Sequence, residues 1–335
     1  MVGKAGGGAR RVRVVLLGIV LALLGAGSWV VWELRVVAAH LADGDPAQGT
    51  YLQDPERADR TASAVLDGLV VEVEAPRDDT PDPAGSEATA EPAGSATPAE
   101  PAGSATPVRS RREGDWRPSS PLEARSTAPE PAIGALFSPG GDWDSDHHCS
   151  AGVVHSPDGD LLVTAAHCVY QGGFRTNLAF VPGYRDGVAP YGVWVPTRID
   201  VDPRWTESAD PDHDVAFVRV RRPGHPGERL EDVTGAPAIR FRPGLPVPAR
   251  VVGYPNDAEQ PVDCFNTARA EGPAQVRLDC AGVPNGTSGG PILTEGPALI
   301  GVVGGRDGGG DERTSYSSWF DDGTRALYAR ATGSP

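Results

Sequence analysis

The sequence has few positive charges and few cysteines. Its 30 lysine and arginine residues stand against 45 aspartate and glutamate residues, which gives a formal net charge of −15. This excess of acid offers no basic face to phosphate groups, which argues against a nucleic-acid-binding protein. The 4 cysteines are too few for a disulfide scaffold, but they suffice for two disulfides on an ordinary hydrophobic core.

Glycine and proline, by contrast, are abundant, at 43 and 33 of the 335 residues. A chain of this composition is not mostly helical, and part of it is expected to lack a packed core. The length is typical of one domain with appendages, or of two domains.

The N-terminal region predicts export. Residues 1–13 carry four positive charges and no acid, and the run Val14–Trp32 contains no charged residue. As a helix this run would span about 28 Å, close to the thickness of the hydrocarbon core of a bilayer. We expect a transmembrane anchor, with the basic tail in the cytoplasm and the rest of the chain outside. A cleaved signal peptide ending near Val37-Ala38-Ala39 is the alternative, and it also exports the chain.

The region between the anchor and residue 132 is expected to carry no chemistry. Residues 33–74 form a juxtamembrane segment to which the sequence assigns no function. Residues 75–131 are rich in Pro, Ala, Gly, Ser, Thr and Glu, and Glu91–Pro98 recurs as Glu100–Pro107. Because this repeat contributes almost no apolar surface, it predicts a disordered stalk and not a stack of folded repeats.

Residues 132–335 show the pattern of an all-β domain. Short runs rich in valine recur between Gly, Pro and Asp residues, as in Leu161–Ala166, Asp214–Val220 and Leu299–Val303. Runs of this length are typical of strands, and a series of them indicates a sandwich or a barrel. The Pro-rich interval Arg222–Pro248 divides the series into two halves, which favours two barrels.

Three motifs in this domain carry histidine, aspartate and serine, in that order: Thr164-Ala165-Ala166-His167-Cys168, Asp212-His213-Asp214-Val215-Ala216 and Gly286-Thr287-Ser288-Gly289-Gly290-Pro291. A serine hydroxyl becomes a nucleophile when an imidazole removes its proton, and a buried carboxylate orients that imidazole. The N–H groups of Gly286 and Ser288 would bind the oxyanion. We predict His167, Asp214 and Ser288 as the catalytic residues, with Asp212 as the alternative to Asp214.

The region from Ile133 onward resembles the trypsin-like serine peptidases of the chymotrypsin fold. It is most similar to the compact secreted bacterial members and the glutamyl endopeptidases. The order His, Asp, Ser and the three motifs match that family, as does Cys149-Ser150-Ala151-Gly152. The resemblance implies two antiparallel six-stranded barrels, with the triad in the cleft between them. It also implies that Cys149 pairs with Cys168. Four thiols allow three pairings, and we prefer Cys149–Cys168, which spans a strand–turn–strand, with Cys264–Cys280, which closes a hairpin-like loop.

The sequence departs from the family in two places. Thr287 stands where trypsin-type members have the aspartate that pairs with a newly formed N-terminus, so we do not expect activation by that ion pair. Val303 replaces the histidine that glutamyl endopeptidases use in their specificity pocket. The predicted substrate-binding residues are Asn285, Val303, Gly304 and Gly305, and the preferred substrate side chain stays open.

No metal and no cofactor are expected. The stretch His147–Cys149 could bind a metal, but a cysteine with a partner in an exported chain favours a disulfide. Asp142, Asp144 and Asp146 alternate as at the start of a calcium loop. Such a loop also needs a glycine and a glutamate, which this sequence lacks at the required positions.

The predicted function is that of a membrane-tethered or secreted serine endopeptidase, which hydrolyses peptide bonds through an acyl-enzyme on Ser288. Its partners would be protein or peptide substrates and, through the N-terminal helix, a membrane. We expect a monomer. The alternative is a catalytically silent member of the same fold that acts as a cell-surface binding module. A lost triad residue would favour that alternative, and none is lost in this sequence.

Overall fold

The computed structural model describes residues 40–71, 116–140, 147–296 and 298–333. The basic tail, the run Val14–Trp32, most of the predicted stalk and the alternating aspartates of residues 141–146 lie outside these ranges. Within them, no helix combines the length and the apolar character that a membrane span requires.

Strands make up most of the regular structure, as the valine-rich runs predict. In chain order, the strands of the described residues are β1 (Leu41–Ala42), β2 (Thr50–Leu52), β3 (Val70–Val71), β4 (Arg125–Ser126), β5 (Ile133–Phe137), β6 (His147–Val153), β7 (Leu161–Thr164), β8 (Phe174–Arg175), β9 (Ala179–Pro182), β10 (Val188–Ala189), β11 (Val195–Val201), β12 (Ala216–Arg221), β13 (Ala238–Ile239), β14 (Val247–Gly253), β15 (Val262–Glu271), β16 (Gln275–Asp279), β17 (Pro291–Thr294), β18 (Ala298–Val302) and β19 (Thr314–Ser318). The helices are α1 (Pro55–Leu66), α2 (Ala166–Val169), α3 (Pro203–Ser208), α4 (Leu230–Thr234) and α5 (Asp322–Thr332), with short 3-10 helices at Pro211–His213 and Arg306–Gly309.

The first large sheet contains strands in the order β2-β11-β12-β7-β6-β5-β9, and its neighbouring strands are antiparallel. Phe180 and Trp194 exchange two backbone hydrogen bonds, at 2.7 and 2.9 Å. Because Phe180 lies in β9 and Trp194 directly precedes β11, these bonds connect the far end of the sheet back to β11. Strand β2 is thereby left on the outer side of β11.

The second large sheet follows the order β13-β18-β17-β14-β15-β16-β19, and β4 also pairs with β15. Its long strands are antiparallel, while the short β13 runs parallel to β18. The Gly304 N–H donates to the Tyr316 carbonyl at 3.0 Å. This bond connects the residues after β18 with β19, so the second sheet is also hydrogen-bonded across its ends.

Alternation of side chains explains why whole strands are buried on both faces. In β5, Ile133 and Phe137 enter one hydrophobic cluster, whereas Leu136 enters another. Since successive side chains of a strand point to opposite faces, β5 separates two packed layers. The cluster around Phe137 also contains Val252 and Leu299 from the second sheet. The two sheets therefore share one continuous core.

Residues 40–71 belong to the same folded body, although the sequence assigned them no role. Strand β1 pairs with β8, β2 with β11 and β3 with β10. Helix α1 begins after Asp54, whose side chain accepts a hydrogen bond from the Arg57 N–H at 2.8 Å, and Pro55 stands in its first turn. The buried face of α1 has the spacing of one helical side and consists of Ala58, Thr61, Ala62 and Val65.

The last part of the predicted stalk, residues 116–131, also lies on the domain. Strand β4 pairs with β15, and the rings of Trp116 and Phe265 meet edge to face with their centroids 5.7 Å apart. The Ser119 N–H donates to the Phe265 carbonyl at 2.8 Å, and its hydroxyl accepts from the Phe265 N–H at 3.0 Å. The folded body thus starts before residue 132. Residues 116–131 have the average composition of a linker, but the two-residue strand β4 and Trp116 attach them to the domain.

Two disulfides join Cys149 to Cys168 and Cys264 to Cys280. They are the two pairs that the sequence analysis prefers. The first connects β6 to α2, and the second connects β15 to the residue after β16. Because the sulfur of Cys149 is bonded to that of Cys168, this residue offers no thiolate to a metal.

Candidate active site

The first two residues of the candidate site are His167, which follows strand β7, and Asp214, which precedes the neighbouring strand β12. Helix α2 carries His167 directly after β7, and Asp214 stands just before β12, the strand that pairs with β7. Nδ1 of His167 lies 2.7 Å from Oδ2 of Asp214, and the His167 N–H donates to Oδ1 at 2.9 Å. Asp214 is fully buried, while the side chain of His167 is 22% exposed. A desolvated carboxylate therefore orients an imidazole that is still accessible to solvent.

The carboxylate and backbone of Asp214 have further partners. The Gly305 N–H donates to Oδ2 at 2.7 Å. The Asp214 N–H donates to the Ser318 hydroxyl oxygen at 3.0 Å, and that hydroxyl donates to the Pro211 carbonyl at 3.0 Å. Because Gly305 and Ser318 belong to the second sheet and its following loop, both halves of the domain hold this carboxylate in place.

Asp212, the alternative orienting acid, has a different environment. Its Oδ1 accepts a hydrogen bond from Nε2 of Gln275 at 2.8 Å, and the same amide donates to the Pro211 carbonyl at 2.8 Å. Of the two aspartates, Asp214 is the one whose carboxylate contacts the His167 imidazole.

The turn that carries Ser288 is closed by local hydrogen bonds and by a glycine. The Thr287 N–H and the Thr287 hydroxyl both donate to the Pro284 carbonyl, at 3.2 and 2.6 Å. Gly286 has a φ of +93°, and a Cβ atom there would overlap the backbone nitrogen of Asn256. Both observations restrict this position to glycine, which has no Cβ and adopts positive φ without strain.

Gly289 brings the serine turn against the histidine segment. Its φ is +78°, and a Cβ atom there would overlap the Thr164 hydroxyl and lie 3.0 Å from the Ala165 nitrogen. Ser288 directly precedes this glycine, and His167 follows Ala165 by two residues. The fold therefore brings the predicted nucleophile and the predicted base into the same region.

Ser150 connects the serine turn to the first sheet. Its N–H donates to the Ser288 carbonyl at 2.7 Å. Its hydroxyl donates to the Gly286 carbonyl at 2.9 Å and accepts from the Tyr254 N–H at 2.7 Å. Ser150 is fully buried, so these bonds are shielded from competing water. One side chain and one N–H thus hold the backbone on both sides of Thr287.

The two N–H groups predicted to bind an oxyanion are not used by the backbone. Among the described residues, neither Gly286 nor Ser288 donates its N–H to a main-chain carbonyl. Two unpaired donors at a fixed turn can receive the negative oxygen of a tetrahedral intermediate.

Comparison with known proteins now identifies the domain. Residues 150–302 match the family model described as a trypsin-like peptidase domain. These residues carry a trypsin-like peptidase domain. No match was found among curated proteins.

Solved structures of proteases are similar to this peptidase. Protease Anisep from Arthrobacter nicotinovorans shares 25% identity over 63% of this chain and 100% of its own, with a TM-score of 0.56. The thermostable serine protease AL20 from an extremophilic microorganism shares 26% identity over 62% of this chain and 99% of its own, with a TM-score of 0.54. A Glu endopeptidase has the same fold at 17% identity, with a TM-score of 0.52 over 63% of this chain and 97% of its own. The predicted family and the predicted class of enzyme are confirmed.

The predicted substrate-binding residues of the peptidase have different surroundings. Asn285 is exposed. Val303 is buried in the hydrophobic cluster of the second sheet. A Cβ atom at Gly304 would lie 2.9 Å from Oδ2 of Asp214, and Gly305 donates its N–H to that same oxygen. Val303 therefore belongs to the core, and the two glycines lie against the catalytic candidate Asp214.

Sequence reasoning missed two residues of the peptidase site, Ser150 and Ser318. Ser150 stands inside the matched stretch Cys149-Ser150-Ala151-Gly152, which is the signal that could have drawn attention to it. Ser318 ends β19 and has no motif around it. Its position beside Asp214 becomes visible only when the two sheets are assembled.

Proposed function

We propose that the protein is an exported serine endopeptidase, membrane-tethered or secreted, that cleaves peptide bonds with His167, Asp214 and Ser288. The 2.7 Å contact between His167 Nδ1 and the buried Asp214 carboxylate carries this proposal, because it leaves Nε2 free to act as the base. All four cysteines are oxidised to disulfides, which supports a location outside the cytoplasm.

The first proposed step forms the acyl-enzyme. Nε2 of His167 removes the proton of the Ser288 hydroxyl as the serine oxygen attacks the substrate carbonyl carbon. The imidazolium that results is stabilised by the Asp214 carboxylate. The carbonyl oxygen becomes negative and accepts hydrogen bonds from the N–H groups of Gly286 and Ser288, each worth about 3 kcal/mol in the transition state.

The second proposed step releases both products. His167 gives its proton to the nitrogen of the leaving amine, and the peptide C–N bond breaks. A water molecule then loses a proton to the same imidazole as it attacks the acyl carbon. The bond to Ser288 Oγ breaks, and the serine oxygen recovers its proton from His167.

The peptidase is proposed to work without cleavage before Ile133. The Ile133 N–H donates to the Glu130 carbonyl at 3.0 Å, and the Ile133 carbonyl accepts from the Gly183 N–H at 2.9 Å. Ile133 is therefore the first residue of β5, and both its N–H and its carbonyl are hydrogen-bonded in the uncut chain. The hydrogen bonds of Thr287 and Ser150 hold the serine turn in this uncut chain.

The connections across the ends of each sheet support the proposal of two six-stranded barrels. In that arrangement His167 and Asp214 come from the first barrel and Ser288 from the second. Substrate would bind between them, as the family resemblance implies.

A fluorophosphonate probe, which reacts with activated serines, tests the proposed function on the full chain. We expect covalent labelling at Ser288 and its abolition by Ser288→Ala. Ser138→Ala is the control, because Ser138 is buried elsewhere and labelling should persist. A folded protein with both disulfides formed that neither labels nor hydrolyses any peptide would contradict the proposal and favour the silent binding module.

A further inference from the structure

Residues 40–71, here called the N-terminal segment, are packed into the peptidase although a long stretch of sequence separates them from it. The chain between them comprises residues 72–115, which include the Pro/Ala/Gly/Ser repeat. Both disulfides lie within residues 149–280, and the segment contains no cysteine. Apart from the backbone that leaves it at residue 71, non-covalent contacts alone can hold the segment on the domain.

The first set of contacts is an added strand. Strand β2 pairs antiparallel with β11, and Tyr51 is directly opposite Ile199. The pairing continues on either side of β2, because the Gly49 carbonyl accepts from the Val201 N–H at 2.8 Å and the Gln53 N–H donates to the Thr197 carbonyl at 3.0 Å. These main-chain bonds satisfy an edge of the first sheet that would otherwise be open.

Gly49 makes this pairing close. It has a φ of +65°, and a Cβ atom there would overlap the Val201 carbonyl. Any side chain at this position must push β2 away from β11. By comparison, a Cβ atom at Gly68 in the same segment would meet only the Val65 carbonyl, at the ordinary contact distance of 3.7 Å.

A buried carboxylate provides a second set of contacts. Asp200 in β11 is fully buried and accepts hydrogen bonds from Thr50 Oγ1 at 3.0 Å, Arg198 Nε at 2.7 Å and Arg330 Nε at 3.2 Å. The N-terminal segment, the first sheet and helix α5 therefore meet at one charge. Without the segment, this carboxylate would lose one of its donors and part of its cover.

Helix α1 provides the third set. Its residues Ala58, Ala62 and Val65 are nearly inaccessible and enter the core cluster of the domain. Two arginines add polar contacts at the rim: Arg57 Nη1 donates to Thr176 Oγ1 at 2.9 Å, and Arg221 Nη2 donates to Asp59 at 2.6 Å. An apolar centre with a polar rim is the usual anatomy of a specific protein interface.

The segment also supports the surroundings of His167. The Thr206 hydroxyl of helix α3 shares its proton between the Pro46 carbonyl, at 2.7 Å, and the Pro203 carbonyl of its own helix, at 2.8 Å. The preceding residue, Trp205, has its ring centroid 6.4 Å from that of His167 and donates its Nε1–H to the Tyr170 carbonyl at 3.4 Å. Displacing the segment would therefore remove one contact that holds helix α3, and with it the Trp205 ring, beside the proposed base.

We propose that the N-terminal segment is a docked strand–helix unit that stays bound to the peptidase without its covalent connection. A backbone cut between residues 72 and 115 then yields a two-chain peptidase whose catalytic part stays attached to its own N-terminal region. The link to Trp205 and His167 rests on the proposed function, whereas the docking itself does not.

The test uses the full chain with the recognition sequence of a site-specific protease inserted between the two copies of the repeat. After cutting, we expect both fragments to elute together in native size-exclusion chromatography and to separate only in denaturant. The rate of fluorophosphonate labelling should stay within twofold of that of the uncut chain. Fragments that separate in native buffer would overturn the proposal.

Two matched variants locate the docking contact. In the Gly49→Val chain, the fragments should separate after cutting, and the labelling rate should then fall at least tenfold. The Gly68→Ala chain should behave as the unmodified one. Fragments of Gly49→Val that stay together as firmly as those of Gly68→Ala would overturn the assigned contact. An uncut chain that never labels would instead contradict the proposed function, while co-elution would still report the docking.

Discussion

Ser288 and His167 handle the same proton in the proposed mechanism, so the effects of replacing them should not add. Ser288→Ala and His167→Ala are each expected to lower kcat by several orders of magnitude, and the double variant should be little worse than either. Asp212→Asn is the control. It should retain activity, because Asp212 binds Gln275 and not the imidazole. Losses that multiply in the double variant, measured on a peptide substrate, would contradict the shared role.

Ser150 is expected to act as a positioning residue for the oxyanion-binding turn. Ser150→Ala leaves the Gly286 carbonyl and the Tyr254 N–H without their buried partner, a loss of about 1–3 kcal/mol. We predict a kcat lower by roughly tenfold to a hundredfold with little change in KM, because the oxyanion forms only after substrate binds.

Threonine keeps the hydroxyl, so Ser150→Thr should restore most of the kcat. Ser138→Ala is a second control, since the Ser138 hydroxyl is buried and has no hydrogen-bond partner among the described residues. An effect of Ser150→Ala on KM alone would indicate a role in substrate binding and not in the turn.

The lowered pKa of the buried His148 leads to a prediction of how the free energy of unfolding depends on pH. Burial, followed by the charge of Arg175, lowers the pKa of His148 to about 3. Between about pH 3 and the ordinary value near 6.5, the unfolded chain therefore takes up a proton that the folded chain excludes. The free energy of unfolding should fall as the pH drops through this window, by up to about 1.4 kcal/mol per pH unit.

Urea unfolding of variants between pH 4.5 and 7 checks this slope. His148→Gln should flatten it, because glutamine does not titrate. Equal slopes for His148→Gln and the parent protein would assign the acid sensitivity to other groups.

The two disulfides stabilise different elements, and their removal should have different consequences. Each closes a loop of 16–19 residues, so replacing either pair by alanine should lower the free energy of unfolding by about 3 kcal/mol. Removal of Cys149–Cys168 should also lower kcat, because helix α2 carries both Cys168 and His167.

Removal of Cys264–Cys280 is the matched control and should change kcat by less than a few-fold. Stability is measured by thermal unfolding and kcat on the same peptide. If both double variants lose activity equally, general loosening of the domain and not the position of α2 explains the effect.

The strands and motifs of the site could be predicted from the sequence because their signals are local. The valine-rich runs, the glycines around Ser288 and the aspartate just before β12 each occupy a few consecutive residues. The supporting contacts join distant parts of the chain. The Asp214 N–H meets Ser318 across 104 residues, and the Ser150 hydroxyl meets the Gly286 carbonyl across 136. No local pattern specifies such a pair, because each serine lies in a strand whose sequence has nothing unusual in its composition.

At the scale of the whole chain, composition distinguishes the repeat from the peptidase domain. It does not indicate that residues 40–71 and 116–131, on either side of the repeat, pack on that domain. Helix α1 buries alanine, threonine and one valine, which add little to an average hydropathy. Strands β1, β3 and β4 have two residues each, too few to show alternation. The signals that could have found the helix are Asp54 before Pro55 and the spacing of the buried face.

We therefore expect that residues before residue 40 can be deleted without loss of stability, whereas a deletion that extends through residue 71 destabilises the domain. Deleting residues 1–39 leaves every described contact in place, so this variant should label with a fluorophosphonate as the full chain does. Deleting residues 1–71 exposes the core cluster under α1 and removes Thr50 from the buried Asp200 carboxylate. The loss of several kcal/mol should lower the melting temperature by roughly 10 °C or more and promote aggregation. Light scattering and a thermal melt compare the two. A 1–71 deletion as stable and as active as the 1–39 deletion would show that the domain needs neither β2 nor α1, whatever their contacts.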